Sequence, residues 1–188
     1  MSQAPSPERP GRYQRSAGGL IGALVILLGF IAAFVAFRAV TRSDLEVRPE
    51  SVDYRGGVAD VQAAGLEVVY PRLLPAGWIA TRVQLAPVAE RSFGISMLTD
   101  DGAFAGVRQD DVELDALLAT YVDEKPTEGD VVDIESAVGS RWRVFTDEGG
   151  DTAYAAQSGL GDSWVLVYGS ASPAQLEQVV AALTTDPL

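Results

Sequence analysis

The chain changes texture three times. Residues 17–37, AGGLIGALVILLGFIAAFVAF, carry no charge over 21 positions. A helix of that length spans about 31 Å, which matches a hydrocarbon core of ~30 Å. A removable leader would have a shorter apolar run, roughly 7–15 residues, ending in an A-x-A-like site. Here the run is too long, and Ala33-Phe34-Val35-Ala36 has the wrong spacing. The pattern predicts an uncleaved transmembrane helix acting as a signal anchor. Ahead of it, residues 1–16 are rich in Pro, Ser, Gly and Arg and predict a disordered basic tail. Behind it, residues 38–57 mix charges with Pro49 and Gly56-Gly57 and predict a spacer.

From residue 58 to 188 the apolar positions fall into short periodic runs, which predict one folded domain. Val58, Val61 and Leu66 mark a helix over 58–66, and Glu67 to Tyr70 a short strand. Leu74-Pro75-Ala76-Gly77-Trp78 reads as a turn feeding an extended segment to Leu85. Strands over 92–98 and 103–109 flank Asp100-Asp101-Gly102, a hairpin turn that tolerates positive φ. A helix is predicted over 112–122, with Val112, Leu114, Leu117, Leu118 and Tyr121 as its buried stripe and Asp110-Asp111 at its positive end. Lys125-Pro126 to Asp130 reads as a loop. Strands follow near 131–135, 141–146, 152–157 and 163–170. The last helix has Ser172 as cap, Pro173 at its first position and Gln175 completing a capping box. Leu176, Val179, Val180 and Leu183 then recur at helical spacing.

These elements predict an α+β class: an antiparallel sheet with helices packed on one face. The order also suggests two β-β-β-α units. A Trp-bearing strand, a hairpin and a helix occur around Trp78 and again around Trp142. Two short strands end alike, in Gln109 and Gln157.

Composition narrows the chemistry. Among 188 residues there is no Cys, His or Asn, and Lys125 is the only lysine. Without Cys there is no disulfide, thiol nucleophile or thiolate metal site. Without His there is no Ser-His-Asp triad and no imidazole ligand or base. The scarcity of Lys and Asn, whose codons are AT-rich, points to a GC-rich bacterial genome. The net charge is −12. Arg9, Arg12, Arg15, Arg38 and Arg42 flank the apolar run, with Glu8 the only acid among them. Beyond Arg42 there are 9 basic and 25 acidic residues, a balance of about −16. Such a surface repels nucleic acid, so nucleic-acid binding is rejected. Lys and Arg counts on the two sides of the helix are near balance. A short tail is easily retained in the cytoplasm and a long acidic domain readily exported. The expected location is therefore the cell membrane, with the N-terminus cytoplasmic and the C-terminal domain extracytoplasmic.

Inside the apolar run Gly18, Gly22, Gly29, Ala33 and Ala36 share a helical stripe. Gly18-x-x-x-Gly22 is a small-xxx-small motif that lets two helices approach closely, so this stripe is the candidate helix-pairing face of a homodimer.

No other motif carries specific chemistry. Asp100-Asp101, Asp110-Asp111, Asp115 and Asp147-Glu148-Gly149-Gly150-Asp151 offer oxygen ligands, but none matches the calcium-loop spacing. Each has a plain role in a hairpin turn or at a helix. Lys125 lies between Glu124 and Pro126 in a polar stretch, where a surface lysine is expected rather than a base. There is no G-x-S-x-G and no phosphate loop, and Gly159-x-Gly161 reads as a hairpin turn. Trp78, Trp142 and Trp164 sit in or beside apolar strands and are expected in the core rather than on a sugar.

The basic tail, single helix, Val52-Asp53-Tyr54 segment and Leu74-Pro75-x-Gly77-Trp78 turn occur in that order. With the strand ending in Gln109 and the strand from Gly139 to Trp142, they resemble an actinobacterial family of membrane-anchored proteins of unknown function. The resemblance covers nearly the whole chain. It implies location and fold and supplies no catalytic residues. The expected function is a non-enzymatic envelope module, without a cofactor, that binds an envelope protein partner. The alternatives are a carboxylate-dependent, glycan-directed enzyme, whose two acids would stand roughly 5–9.5 Å apart, and a self-associating membrane scaffold.

Overall fold

The computed structural model describes residues 17–41, 49–85, 91–160 and 162–188. Two compact units divide the chain, Met1–Arg48 and Pro49–Leu188. The predicted tail over 1–16 and residues 42–48 of the predicted spacer lie outside the described residues.

In the first unit α1 (Ala17–Thr41) is one uninterrupted helix that contains the whole predicted apolar run. Every large hydrophobic side chain from Ile21 to Phe37 is exposed. The stretch Ile21–Arg38 is long and apolar enough to cross a membrane.

The second unit begins earlier than its sequence pattern predicts. The helix α2 runs Tyr54–Ala63, so the end of the predicted spacer belongs to the fold. Three bonds hold it there. Asp53 Oδ1 accepts the Gly56 N–H at 3.1 Å, the Val52 N–H donates to the Ala80 carbonyl at 2.8 Å, and the buried Tyr54 hydroxyl donates to the Pro71 carbonyl at 3.1 Å. The predicted strand over 67–70 shrinks to β1 (Tyr70–Pro71), which pairs with β9 (Leu183–Thr184). The Gln109 side chain has taken the backbone of Glu67 and Val69 instead.

Seven strands form the main sheet: β2 (Ile79–Leu85), β3 (Phe93–Leu98), β4 (Phe104–Asp110), β5 (Thr127–Asp133), β6 (Arg141–Thr146), β7 (Thr152–Gln157) and β8 (Trp164–Gly169). Their order is β2-β3-β4-β8-β7-β6-β5, and every pairing is antiparallel. The Leu74–Trp78 turn that opens β2 closes with the Trp78 N–H on the Pro75 carbonyl at 3.1 Å. Gly77 holds φ +83°, and a Cβ there would meet Asp100 Cβ at 2.9 Å, so both conformation and space require glycine.

Strand alternation decides where the helices go. On one face Ile95, Val107, Val167 and Tyr154 are cross-strand neighbours. They pack with Val58 and Val61 of α2 and with Leu176, Val179 and Val180 of α4 (Pro173–Ala182). Each such side chain stabilises the fold by roughly 1.5–3 kcal/mol relative to exposure. The predicted capping box of α4, Ser172 with Gln175, is formed. The central strands are apolar on their other face too, through Ala153, Ala155 and Leu166, and that face also needs a cover. It is supplied by Leu114, Leu117 and Leu118 of α3 (Leu114–Tyr121). The class is α+β on an antiparallel sheet, but helices pack on both faces: α2 and α4 on one, α3 on the other.

This arrangement also limits the predicted duplication. The strands do form two meanders, β2-β3-β4 and β8-β7-β6, joined at β4–β8. An antiparallel join of two equal units implies a twofold axis through the sheet, which would leave α3 and α4 on the same face. They lie on opposite faces. Gln109 is buried whereas Gln157 is exposed, so the two glutamines are not equivalent either.

Two local expectations are corrected. Val112 is 41% exposed and precedes α3, because the chain stays in β4 through Asp110. The stretch read as a loop over 125–130 instead enters β5, an edge strand with a bulge between Glu128 and Val131. Nearly all of it is solvent-exposed, so it carries no apolar alternation, and charged residues are what an edge strand uses to resist further pairing.

Candidate functional site

Where β3 begins, β4 ends and β8 begins, the sheet opens into a cleft of about 360 Å³. Four stretches distant in sequence build it: 65–68, 91–93, Gln109 with Asp111, and Leu160 with Asp162 and Ser163. Gln109 fixes the nearest wall. It is 4% exposed, its Oε1 accepts the Val69 N–H at 2.7 Å, and its Nε2 donates to the Glu67 carbonyl at 3.3 Å. A glutamine at the end of a strand thus replaces a neighbouring strand and holds 67–69 against the sheet.

The cleft lining is more polar than apolar; its apolar members are Val68 and Phe93, both buried, and Leu66 and Leu160, both half-buried. One of its polar atoms stands without a partner. Ser163 is 4% exposed, and its Oγ has no hydrogen-bond partner among the described residues. At the rim Arg91 is the only non-glycine residue with positive φ among the described residues, at +45°. Glu67, Asp111 and Asp162 are exposed around it. Neither Arg91 nor any of these acids forms an ion pair among the described residues.

The opposite face of the same strand ends is closed by contrast. Arg108 Nε donates to Asp110 Oδ2 at 3.2 Å and Nη1 to Gln84 Oε1 at 3.0 Å, while Nη2 meets both Asp110 and the Ser92 hydroxyl. Its guanidinium lies 5.0 Å from the centre of the Tyr121 ring, within cation–π range. A smaller cavity of about 100 Å³ beside Tyr121 is walled by Tyr168, which packs against Tyr121 at 5.5 Å and Phe104 at 5.7 Å. Gly106 allows this, since a Cβ there would meet the Tyr168 ring at 2.6 Å.

Burial raises three phenols. Tyr168 is pushed up to about 12 by burial and then by Tyr121. Tyr154 is pushed up to about 12 by burial and by its bond to Glu177 at 3.1 Å. Tyr54 is raised, chiefly by burial. The hydrogen bond from Arg143 holds Glu128 below the usual carboxylate range. None of these four groups lines the larger cleft.

Of the residues singled out from sequence, Asp111 lines the cleft, and the following lie elsewhere. Gly18, Gly22, Gly29, Ala33 and Ala36 all fall within α1. A Cβ at Gly22 or Gly29 would meet nothing within 4 Å, and Ala33 and Ala36 are exposed. The acids are dispersed. Thr99 bonds Asp101 within the β3–β4 hairpin turn, and Asp147 Oδ1 accepts the Asp151 N–H at 2.9 Å in the β6–β7 turn. Asp110 belongs to the Arg108 cluster, and Asp115 is exposed on α3. Among the described residues no three acids gather as metal ligands. Lys125 is exposed between α3 and β5. Trp78 and Trp142 are buried in the main core, where Trp142 Nε1 donates to the Ile134 carbonyl at 3.2 Å, and Trp164 is half-buried beside α3. Gly161 lies outside the described residues, and the hairpin around it closes through the Ser158 N–H and the Ser163 carbonyl at 2.7 Å.

Against known proteins, the family described as protein of unknown function (DUF4245) matches residues 12–183. The chain belongs to this family. Its DUF4245 match starts ahead of α1 and ends in β9, so the apolar helix and the folded unit are parts of one family architecture. No curated protein and no solved structure matches the chain.

Proposed function

We propose that this DUF4245 protein is a membrane-tethered, non-enzymatic binding module of the cell envelope. In this reading α1 crosses the membrane once, the tail stays in the cytoplasm, and the acidic unit outside engages another envelope component. The observation that carries it is the pairing of a helix whose large apolar side chains are all exposed from Ile21 to Phe37 with a separate unit, Pro49–Leu188, that has its own core. Only a lipid surrounding or a partner helix removes that apolar area from water. The lack of His and Cys favours binding over catalysis. An actinobacterial source fits the Lys- and Asn-poor composition.

The test is crosslinking in native membranes with tagged full-length protein, compared with a form lacking residues 1–42. Partners are read by mass spectrometry, and protease protection reports the side of the domain. A partner captured by the anchored form alone, with the domain digested only from outside, is the expected result. Full protection of the domain in intact cells after outer-layer removal, or release of the full-length protein by carbonate washing, would refute the proposed topology or the anchor.

A further inference from the structure

We propose that the cleft at the β3–β4–β8 end binds a small zwitterion with an apolar body, a free amino acid or a dipeptide. This rests on reading the folded unit as a binding module. The volume, about 360 Å³, lies at the lower end of the range for small-molecule sites. The half-buried Leu66 and Leu160, set in a lining that is otherwise mostly polar, offer the contact for an apolar body. The Ser163 hydroxyl is buried there without a partner among the described residues, and such a group is satisfied when a ligand supplies the missing hydrogen bond.

The rim selects the charge. Arg91 shares the cleft lining with Glu67, Asp111 and Asp162, yet forms no ion pair with them. Opposite charges held in one concavity but apart complement a molecule that carries both signs. A simple anion would face three carboxylates and a simple cation would face the guanidinium. A ligand with a carboxylate for Arg91 and an ammonium for the acids meets neither conflict. The left-handed backbone of Arg91 supports a role beyond structure, because a non-glycine residue persists there only when the surroundings hold it.

Calorimetric titration of the full-length protein in detergent micelles at neutral pH tests the assignment. The probes are L-leucine, leucyl-leucine, N-acetyl-L-leucine and L-leucinamide, the last two each lacking one charge. L-leucine or leucyl-leucine should bind saturably, and which of the two binds tighter separates the free amino acid from the dipeptide. Each single-charge derivative should bind at least roughly tenfold more weakly, as loss of one charge-assisted bond implies. R91Q should bind L-leucine and L-leucinamide equally weakly, and S163A should weaken every probe several-fold. Unchanged circular dichroism shows that both variants fold. Equal affinity for all four probes, no binding of any at millimolar concentration, or discrimination between L-leucine and L-leucinamide that survives in R91Q would each overturn the zwitterion assignment. Crosslinked capture of a partner alongside any of those results would leave the tethered-module reading standing, so the two can fail separately.

Discussion

The two faces of the sheet at the β3–β4–β8 end handle polar groups in opposite ways. On one face Arg108 spends its donors on Asp110, Gln84 and Ser92 and covers its plane with Tyr121. On the other, Arg91 stands exposed without an ion pair among the described residues, and Ser163 Oγ is buried without a hydrogen bond. The strands, their ends and the residue types are nearly the same. What differs is completion. A closed network stabilises the native state, whereas an open one is stable enough to persist and still has bonds to give a ligand. Variants on the two faces should therefore differ in sign as well as size.

The largest effect belongs to the closed face. Arg108→Met leaves the Asp110 carboxylate, only 14% exposed, without its cation, and Gln84 and Ser92 lose a donor as well. Removing one partner of a mostly buried pair costs about 3 kcal/mol, read as a lower urea midpoint by tryptophan fluorescence. Ligand affinity should hardly move. Next comes the wall between the faces. Gln109→Ala strands the Val69 N–H and the Glu67 carbonyl, a loss of about 2 kcal/mol. Faster hydrogen exchange at Val69 would show that the 67–69 segment has loosened, and a protected Val69 amide would show that another group had replaced the clasp.

These groups also show how far the sequence could be read. The apolar run of α1, the hairpin at Asp100–Gly102 and the Ser172–Gln175 cap were legible because each depends on neighbours a few residues apart. Only the second half of β5 was, as the strand read near 131–135; its first half, 127–130, is exposed throughout and has no buried alternation to reveal it. The side taken by α3 was hidden for a related reason. It depends on Ala153, Ala155 and Leu166 being apolar on the face away from α4, which shows only once the strands are in register. The cleft was wholly illegible. Arg91, Gln109 and Ser163 are brought together by sheet order, and no spacing links them. Gln109 was visible as the end of a strand, but its clasp on 67–69 was not.

Arg91→Gly isolates the open face by removing a side chain and a strain together. At φ +45° an L-residue costs about 1 kcal/mol that glycine avoids, so stability should rise by about that amount. Binding of a zwitterion should fall in the same variant. A gain in stability with a loss of binding is the pattern of a residue kept for function rather than for the fold. If stability falls instead, Arg91 makes a structural contact in solution, and its unusual backbone says nothing about a ligand.

The smallest effect is the sharpest test, because it compares two buried serines at the same end of the sheet. Ser92 is 8% exposed and bonds Asp110 at 3.2 Å, and Ser163 is 4% exposed and bonds nothing among the described residues. Ser92→Ala should cost about 1 kcal/mol, the net worth of a hydrogen bond to a charged group minus relaxation. Ser163→Ala removes no bond and relieves a buried hydroxyl, so it should be neutral or stabilising by up to about 1 kcal/mol. Urea unfolding of the two variants side by side measures the difference, and errors common to both cancel. Equal losses would mean that water or another group completes Ser163 in the free protein. The cleft would then hold no unmet hydrogen bond, and its claim on a ligand would rest on Arg91 and the rim acids alone.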